Sequence, residues 1–177
     1  MGFDAVIVNA TPLIIFGKIG KLQLLPEVFT EIIITSEVYH EVVEKGIEIK
    51  APDAYMVKEF VDLGKIKVNP LNQKGKKIFE KINRTYRQLD EGEASTIALV
   101  LQKGALEVLM DEDIDRQIAR LYGIKPRGSI GVLILGYKNG LLNEEQVKEN
   151  LRLMMHANFR VSAEVIARFW ELFERVK

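Results

Sequence analysis

Short apolar runs rich in β-branched residues punctuate this chain, and each stops at a polar residue. Ala5-Val6-Ile7-Val8 ends at Asn9, Glu31-Ile32-Ile33-Ile34 at Thr35, and Glu107-Val108-Leu109-Met110 at Asp111. Their apolar centres do not alternate with polar residues, so each reads as a strand buried on both faces. Ile66-Lys67-Val68 reads as a further short strand. The segments between carry helix signals. Thr11-Pro12 is an N-cap with proline at N1 for a helix over Leu13–Ile19. Ser36 caps a helix running to about Lys45. Pro52–Leu63 and Asn72–Arg87 are amphipathic. Asp90 opens a helix over Glu91–Gln102 that Gly104 stops. Ile114–Tyr122 ends at Gly123, and Gly128-Ser129 caps a helix to about Lys138. Asn143 with Gln146 makes a capping-box-like start, and Ser162 caps a last helix bearing Phe169, Trp170 and Phe173. Strands alternating with helices predict an α/β fold, with a central parallel sheet of about four or five strands wrapped by helices. A single domain over 1–177 is expected, with an α/β core at 1–140 and a helical extension at 141–177.

Composition then narrows the chemistry. The chain has no cysteine, which removes disulfides, zinc–thiolate sites and thiol nucleophiles, and its 2 histidines disfavour an imidazole zinc site. Any metal would sit among oxygen ligands, which favours Mg²⁺ or Mn²⁺. With 25 basic and 25 acidic residues the net charge is silent about nucleic acid. No run approaches a membrane span. The start, Met1-Gly2-Phe3-Asp4, has no basic n-region, and Val6 stands where myristoylation needs Ser or Thr. The expected location is the cytoplasm.

Ligands of open parallel sheets bind at the carboxyl ends of the strands, where Asn9 and Asp111 fall. Each also suits a helix cap. Helical phase sorts the other acids at about 100° per residue. Val38, Tyr39, Val42 and Val43 share an apolar face, with Glu37 and Glu44 opposite it in water and Glu41 near its edge. Ala94, Ile97, Ala98 and Leu101 face the core, and Glu93 sits on their margin, where Asp90 and Glu93 also resemble a capping box. Ile114, Ile118, Leu121 and Tyr122 face the core, and Asp115 falls on that face while Asp113 points away. A buried carboxylate needs neutralising, by a metal or by Arg116. Gly17-Lys18-Ile19-Gly20 lacks the spacing of a phosphate loop.

The motifs together resemble the PIN-domain family. Val6–Leu13, with Asn9-Ala10-Thr11, is similar to its opening strand motif. Glu37–Glu41 is similar to the second, Leu89–Leu99 to the third and Leu109–Ala119 to the fourth. Their acids match Glu41, Glu93 and Asp111. Gly128–Leu133 and Asn158–Ser162 resemble a prokaryotic, VapC-like subgroup. The resemblance implies a three-layer PIN-like fold and a Mg²⁺- or Mn²⁺-dependent ribonuclease. The toxin of a toxin–antitoxin pair, with an antitoxin partner, belongs to the same implication. So does a homodimer; independently, Phe169 and Trp170 are adjacent and point about 100° apart, so part of the Phe169, Trp170 and Phe173 surface is expected to pack across it. The resemblance implies Asn9, Glu41, Glu93 and Asp111 as metal ligands, and Glu41, Glu93, Asp111 and Asp115 as catalytic residues. Thr11, Arg116, Ser129, Lys125 and Arg127 would contact the RNA. Structural roles stay open for several of these, a salt bridge for Arg116 among them. Asn9 departs from the family's aspartate and brings an amide oxygen without charge, so metal affinity should fall. A non-catalytic PIN scaffold that binds RNA or a protein is the alternative. An α/β phosphatase needing a nucleophilic aspartate after its first strand is disfavoured, because Asn9 cannot serve.

Overall fold

The computed structural model describes residues 5–104 and 107–177; Met1 to Asp4, on which the reading of the start rests, lie outside the described residues. Five parallel strands, β1 (Val6–Val8), β2 (Ile32–Ile34), β3 (Ile66–Val68), β4 (Glu107–Leu109) and β5 (Lys125–Arg127), form one sheet in the order β3-β2-β1-β4-β5. Each strand is three residues long. Side-chain alternation splits their apolar residues between two cores. Val6, Val8, Ile32, Ile34 and Leu109 enter one, and Ile7, Ile33, Val108 and Met110 enter the other. Both faces are covered, which is why the runs are apolar without alternation.

The first face is covered by α1 (Ala10–Lys18), α2 (Leu24–Val28), α5 (Pro52–Asp62) and α9 (Ser129–Lys138), and by α10 (Glu144–His156) and α11 (Ala163–Val176). The helix after β2 also packs here. It starts as α3 (Ser36–Tyr39), runs through a π-helical stretch (His40–Lys45) and closes in a last turn, α4 (Gly46–Glu48). The second face is covered by α6 (Gln73–Thr85), α7 (Glu91–Lys103) and α8 (Asp113–Leu121). The result is the three-layer arrangement expected.

The helical tail shares the first core. Val147, Leu151, Met154, Phe169 and Phe173 are buried with the sheet residues. Phe169 and Phe173 stack at 6.0 Å, and Tyr137 of α9 meets Phe173 edge-on at 4.8 Å. Two of the three rings expected to serve a dimer are therefore spent inside the chain, and Trp170 is half-buried against them.

Local chemistry explains several shifted boundaries. Thr35 caps α3, its hydroxyl accepting from Val38 N at 3.1 Å, while Ser36 is the first helical residue. α1 begins at Ala10, so Thr11 and Pro12 lie inside its first turn. On α8 the buried stripe is Asp115, Ile118 and Ala119, whereas Ile114 is 50% exposed and Leu121 is 74% exposed. Two of the four residues expected to face the core thus face solvent, and the carboxylate is inside. β5 lies at the sheet edge and has Pro126 at its centre, as a proline in a sheet requires. Among the described residues, no helix is long and apolar enough to cross a membrane.

Candidate functional site

Chain order places a crevice beside β1. From β1 the chain steps outward to β2 and β3, whereas β4 pairs on the opposite side of β1. The connections leaving β1 and β4 therefore diverge, and a hollow opens at their carboxyl ends. Asn9 follows β1, its N–H donating to Leu109 O at 2.9 Å, and Asp111 follows β4 one residue further.

Asn9 is 3% exposed and Asp115 is fully buried. Asn9 Nδ2 donates to Asp115 Oδ2 at 3.3 Å, and the Thr96 hydroxyl donates to Asn9 Oδ1 at 3.4 Å. Thr96, on the buried side of α7, thus selects the face that the Asn9 amide turns to Asp115. The other Asp115 oxygen accepts the Arg116 N–H at 3.0 Å. Burial, then the Glu93 carboxylate, pushes the Asp115 carboxyl up to about 8.

Glu93 sits on the first turn of α7 and closes the capping box anticipated there. Glu93 Oε2 accepts from Asp90 N at 2.9 Å, and Asp90 Oδ1 accepts from Glu93 N at 2.8 Å. Its second oxygen is free of that box. Burial raises Glu93 too, with Asp90, Glu112 and Glu41 adding to the rise against the Asp90 N–H.

Glu41 comes from the π-helical stretch. It leans over Gly92, where an added Cβ would lie 2.6 Å from Glu41 Oε2 and 3.3 Å from Asp90 Oδ1. A side chain at 92 would push the Glu41 carboxylate aside. Burial and then Asp90 raise Glu41, against a weaker pull from Lys45. A hydrogen-bond chain holds the two helices in this relation: Thr35 and Ser95 hydroxyls meet at 2.8 Å, and Ser95 donates to Gly92 O at 2.9 Å. An open groove of about 520 Å³ runs past Glu41, between Ser36, Glu37, His40 and Lys45 on one side and Asp90 and Glu91 on the other. Glu37 lines it half-buried, with one oxygen out of solvent and unpaired, not wholly in water as expected.

Asp111 does not cap the helix that follows its own strand. Its Oδ1 accepts the Ser129 N–H at 2.7 Å and its Oδ2 accepts the Ser129 hydroxyl at 2.6 Å, so it caps α9 across the crevice. Burial pushes Asp111 up to about 6 against these two bonds and against Arg116. The Arg116 guanidinium passes over Gly128, where a Cβ would be 2.6 Å from its Nη1 and 3.3 Å from Asp111 Oδ1.

The predicted residues therefore fall into two neighbouring groups. Asn9 meets Asp115 and Thr96, with Glu93 near enough for its charge to act on Asp115 and Glu41 near enough to act on Glu93; Asp111, Ser129 and Arg116 meet around Gly128. Thr11 is half-buried on α1. Arg127 is tied to Glu107 at 3.0 Å, and Lys125 stands exposed at the amino end of β5, away from the carboxyl edge. Among the described residues, no ion pair engages Glu41, Glu93, Asp111 or Asp115. As the side chains lie, no three carboxylate or imidazole groups among the described residues form a ready set of metal ligands. In charge and ligand type the acids fit a hard divalent cation: all donors are oxygen, and four carboxylates with no ion pair among the described residues have raised proton affinity. Sequence reasoning missed Thr96, Gly92 and Gly128. A pattern of apolar periodicity cannot flag a hydroxyl or a missing Cβ.

A family model described as a PIN domain matches residues 5–175. No curated protein matches the chain.

Proposed function

The chain belongs to the PIN-domain family, and on that premise we propose that it is a divalent-cation-dependent RNA phosphodiesterase acting at the crevice between β1 and β4. One observation carries the reading. Four carboxylates, Glu41, Glu93, Asp111 and Asp115, are raised in proton affinity by burial; among the described residues none is in an ion pair, and Lys45 near Glu41 and Arg116 near Asp111 offset the rise only in part. Such a cluster is costly unless a cation offsets it. A bound Mg²⁺ or Mn²⁺ would lower the pKa of a water and polarise a phosphodiester.

The chain's own groups do the rest. Glu93 offers its free oxygen to the cation, Asp115 the remaining lone pairs of its two hydrogen-bonded oxygens, and Asn9 would join through Oδ1, the oxygen that accepts from Thr96. Asp111 is held in orientation by Ser129. Arg116, beside Asp111, is the positive charge that a phosphate entering the crevice would meet in this reading. Glu41 completes the acidic wall from across Gly92. The toxin role, with an antitoxin and a homodimer, is part of the same proposal, resting on the VapC-like motifs. For the dimer, α11 retains Val165 and Leu172, each 39% exposed.

The test is cleavage of a labelled RNA by purified protein with Mn²⁺, beside Glu93→Gln and Asp115→Asn. Cleavage by the parent and its loss in both variants is expected; equal residual activity in all three marks a contaminant. One observation favours the non-catalytic scaffold. The Asn9 amide already donates to Asp115, easing its burial without a cation. RNA binding without cleavage at any Mn²⁺ concentration would establish that reading.

A further inference from the structure

An acidic crevice repels a polyanion, so the charge that holds an RNA strand must lie elsewhere on the molecule. Two of the three basic residues expected to contact RNA do not supply it, since Arg127 is bound to Glu107 and Lys125 is at the amino end of β5, and the third, Arg116, is a single charge beside Asp111 inside the crevice. The balanced net charge conceals where the unpaired positive charge is. It is concentrated on α6.

Lys74, Lys77, Lys81 and Arg84 follow one another at three- and four-residue steps and are all exposed, forming one stripe along the solvent face; Lys76 and Arg87 flank it. Among the described residues, only Arg84 of these six is in an ion pair, a loose one with Glu80 at 3.9 Å. Solvation alone does not explain this pattern. α10 is also a charged surface helix, and there the cations are interleaved with acids: Lys148 pairs with Glu144 and Arg152 with Glu149. On α6 the corresponding neighbours are like charges, Lys74 with Lys77, Lys77 with Lys81 and Lys81 with Arg84, which destabilises a helix. No acid occupies its first turn, so Lys74 and Lys76 also oppose the helix dipole.

The direction of the helix gives the stripe a destination. At its start, Asn72 N donates to Gln102 Oε1 at 2.9 Å, beside the end of α7. At its finish, Tyr86 is four residues before Asp90, the cap of α7. α6 is therefore antiparallel to α7. The stripe climbs about 15 Å from Lys74 to Arg84 and arrives at the end of α7 that carries Asp90 and Glu93.

We infer that the exposed face of α6 is a phosphate-binding track for a single RNA strand that leads into the acidic crevice. The inference rests on the nuclease reading for its destination, and on the charge pattern of α6 for the track. Contacts to phosphate carry no sequence information, so the track positions the strand without choosing the sequence.

Binding of a fluorescent single-stranded RNA to the full chain, in chelator so that nothing is cut, tests this by anisotropy across a salt series. Changing Lys74, Lys77 and Lys81 together to Gln should weaken binding and lower the slope of log affinity against log salt by about 2, since each single-strand phosphate contact contributes roughly 0.7. Lys148→Gln on α10 should leave the slope unchanged. The triple variant should melt no lower than the parent, because it removes like-charge repulsion, and Lys77→Gln alone should lower the slope by about a third as much. An unchanged slope in the triple variant overturns the track. Displacement of the RNA by polyglutamate at matched charge, as readily as by unlabelled RNA, also overturns it and marks α6 as a face for an acidic protein. Parent protein that binds RNA through α6 yet never cleaves it with Mn²⁺ would sink the nuclease reading and leave the track standing.

Discussion

Asn9 is the residue on which the site turns, because it brings an amide where a carboxylate would bring charge. Its Nδ2 donates to Asp115 Oδ2. Asn9→Asp removes that donor and sets a second carboxyl group against the buried Asp115. The cation-free protein should lose about 1–3 kcal/mol in urea denaturation, while Mn²⁺ affinity measured by calorimetry should rise. A variant as stable as the parent with no gain in affinity would place Asn9 outside the cation's reach. The raised groups also set a pH dependence. Asp115, at about 8, and Asp111, at about 6, hold more protons folded than unfolded above the ordinary carboxylate range. Stability should therefore fall as pH rises, through about 6 for Asp111 and on through about 8 for Asp115. Melting temperatures in chelator should drop over that range, and Asp115→Asn should flatten the upper part. The sequence showed that Asp115 falls on a buried side with Ile118, but wrongly gave it Ile114 and Leu121 as companions. Ile114 and Leu121 are exposed because Asp115, Ile118 and Ala119 form the inner stripe, and a hydrophobic pattern counts a buried acid as polar.

The helices bring Glu41 and Glu93 together by clearance as much as by attraction. Gly92 gives Glu41 its space, so Gly92→Ala tests the element pairing directly. The substituted methyl meets the end of a flexible side chain, so the fold should persist and helix propensity should improve slightly. Cation affinity should fall by about 10- to 100-fold, as for other changes that misplace a ligand. A lower melting temperature with unchanged Mn²⁺ binding would mean that Glu41 plays no part. The Thr35–Ser95–Gly92 chain is the complementary device. Thr35→Val loses both the α3 cap and the hydroxyl contact, and should cost about 1–2 kcal/mol by chemical denaturation. Phase reading left Glu41 at the margin of its face, and the π-helical stretch at His40–Lys45 explains why. A stretch with one extra residue per turn breaks the 100° rule that the reading assumes. The capping box at Asp90 and Glu93 was legible because its two bonds are local; the Asp111 cap of α9 was not, because its partner is 18 residues away.

Across the whole molecule, β1, β2 and β4 were readable because burial on both faces leaves unbroken apolar runs, whereas the edge strand β5, Lys125-Pro126-Arg127, and the short α2 carry no such signal. What could not be read was which strands are neighbours. The placement of β4 against β1 makes the crevice, and no local pattern encodes it. If the crevice takes a cation, folding and binding are linked. Mg²⁺ or Mn²⁺ at about 100 times its Kd should stabilise the protein by roughly 2.7 kcal/mol, read as a concentration-dependent rise in Tm. A flat titration would argue against a site anywhere on the chain. The far margin of the sheet has a separate consequence. Arg127 O accepts from Met110 N, so the polar groups of Arg127 turn inward, and alternation turns those of Pro126 outward. The one outward position in this three-residue strand therefore has no N–H to offer. A sixth strand, from another copy or from an extended peptide, would find no donor there, and the sheet cannot template its own growth on that side.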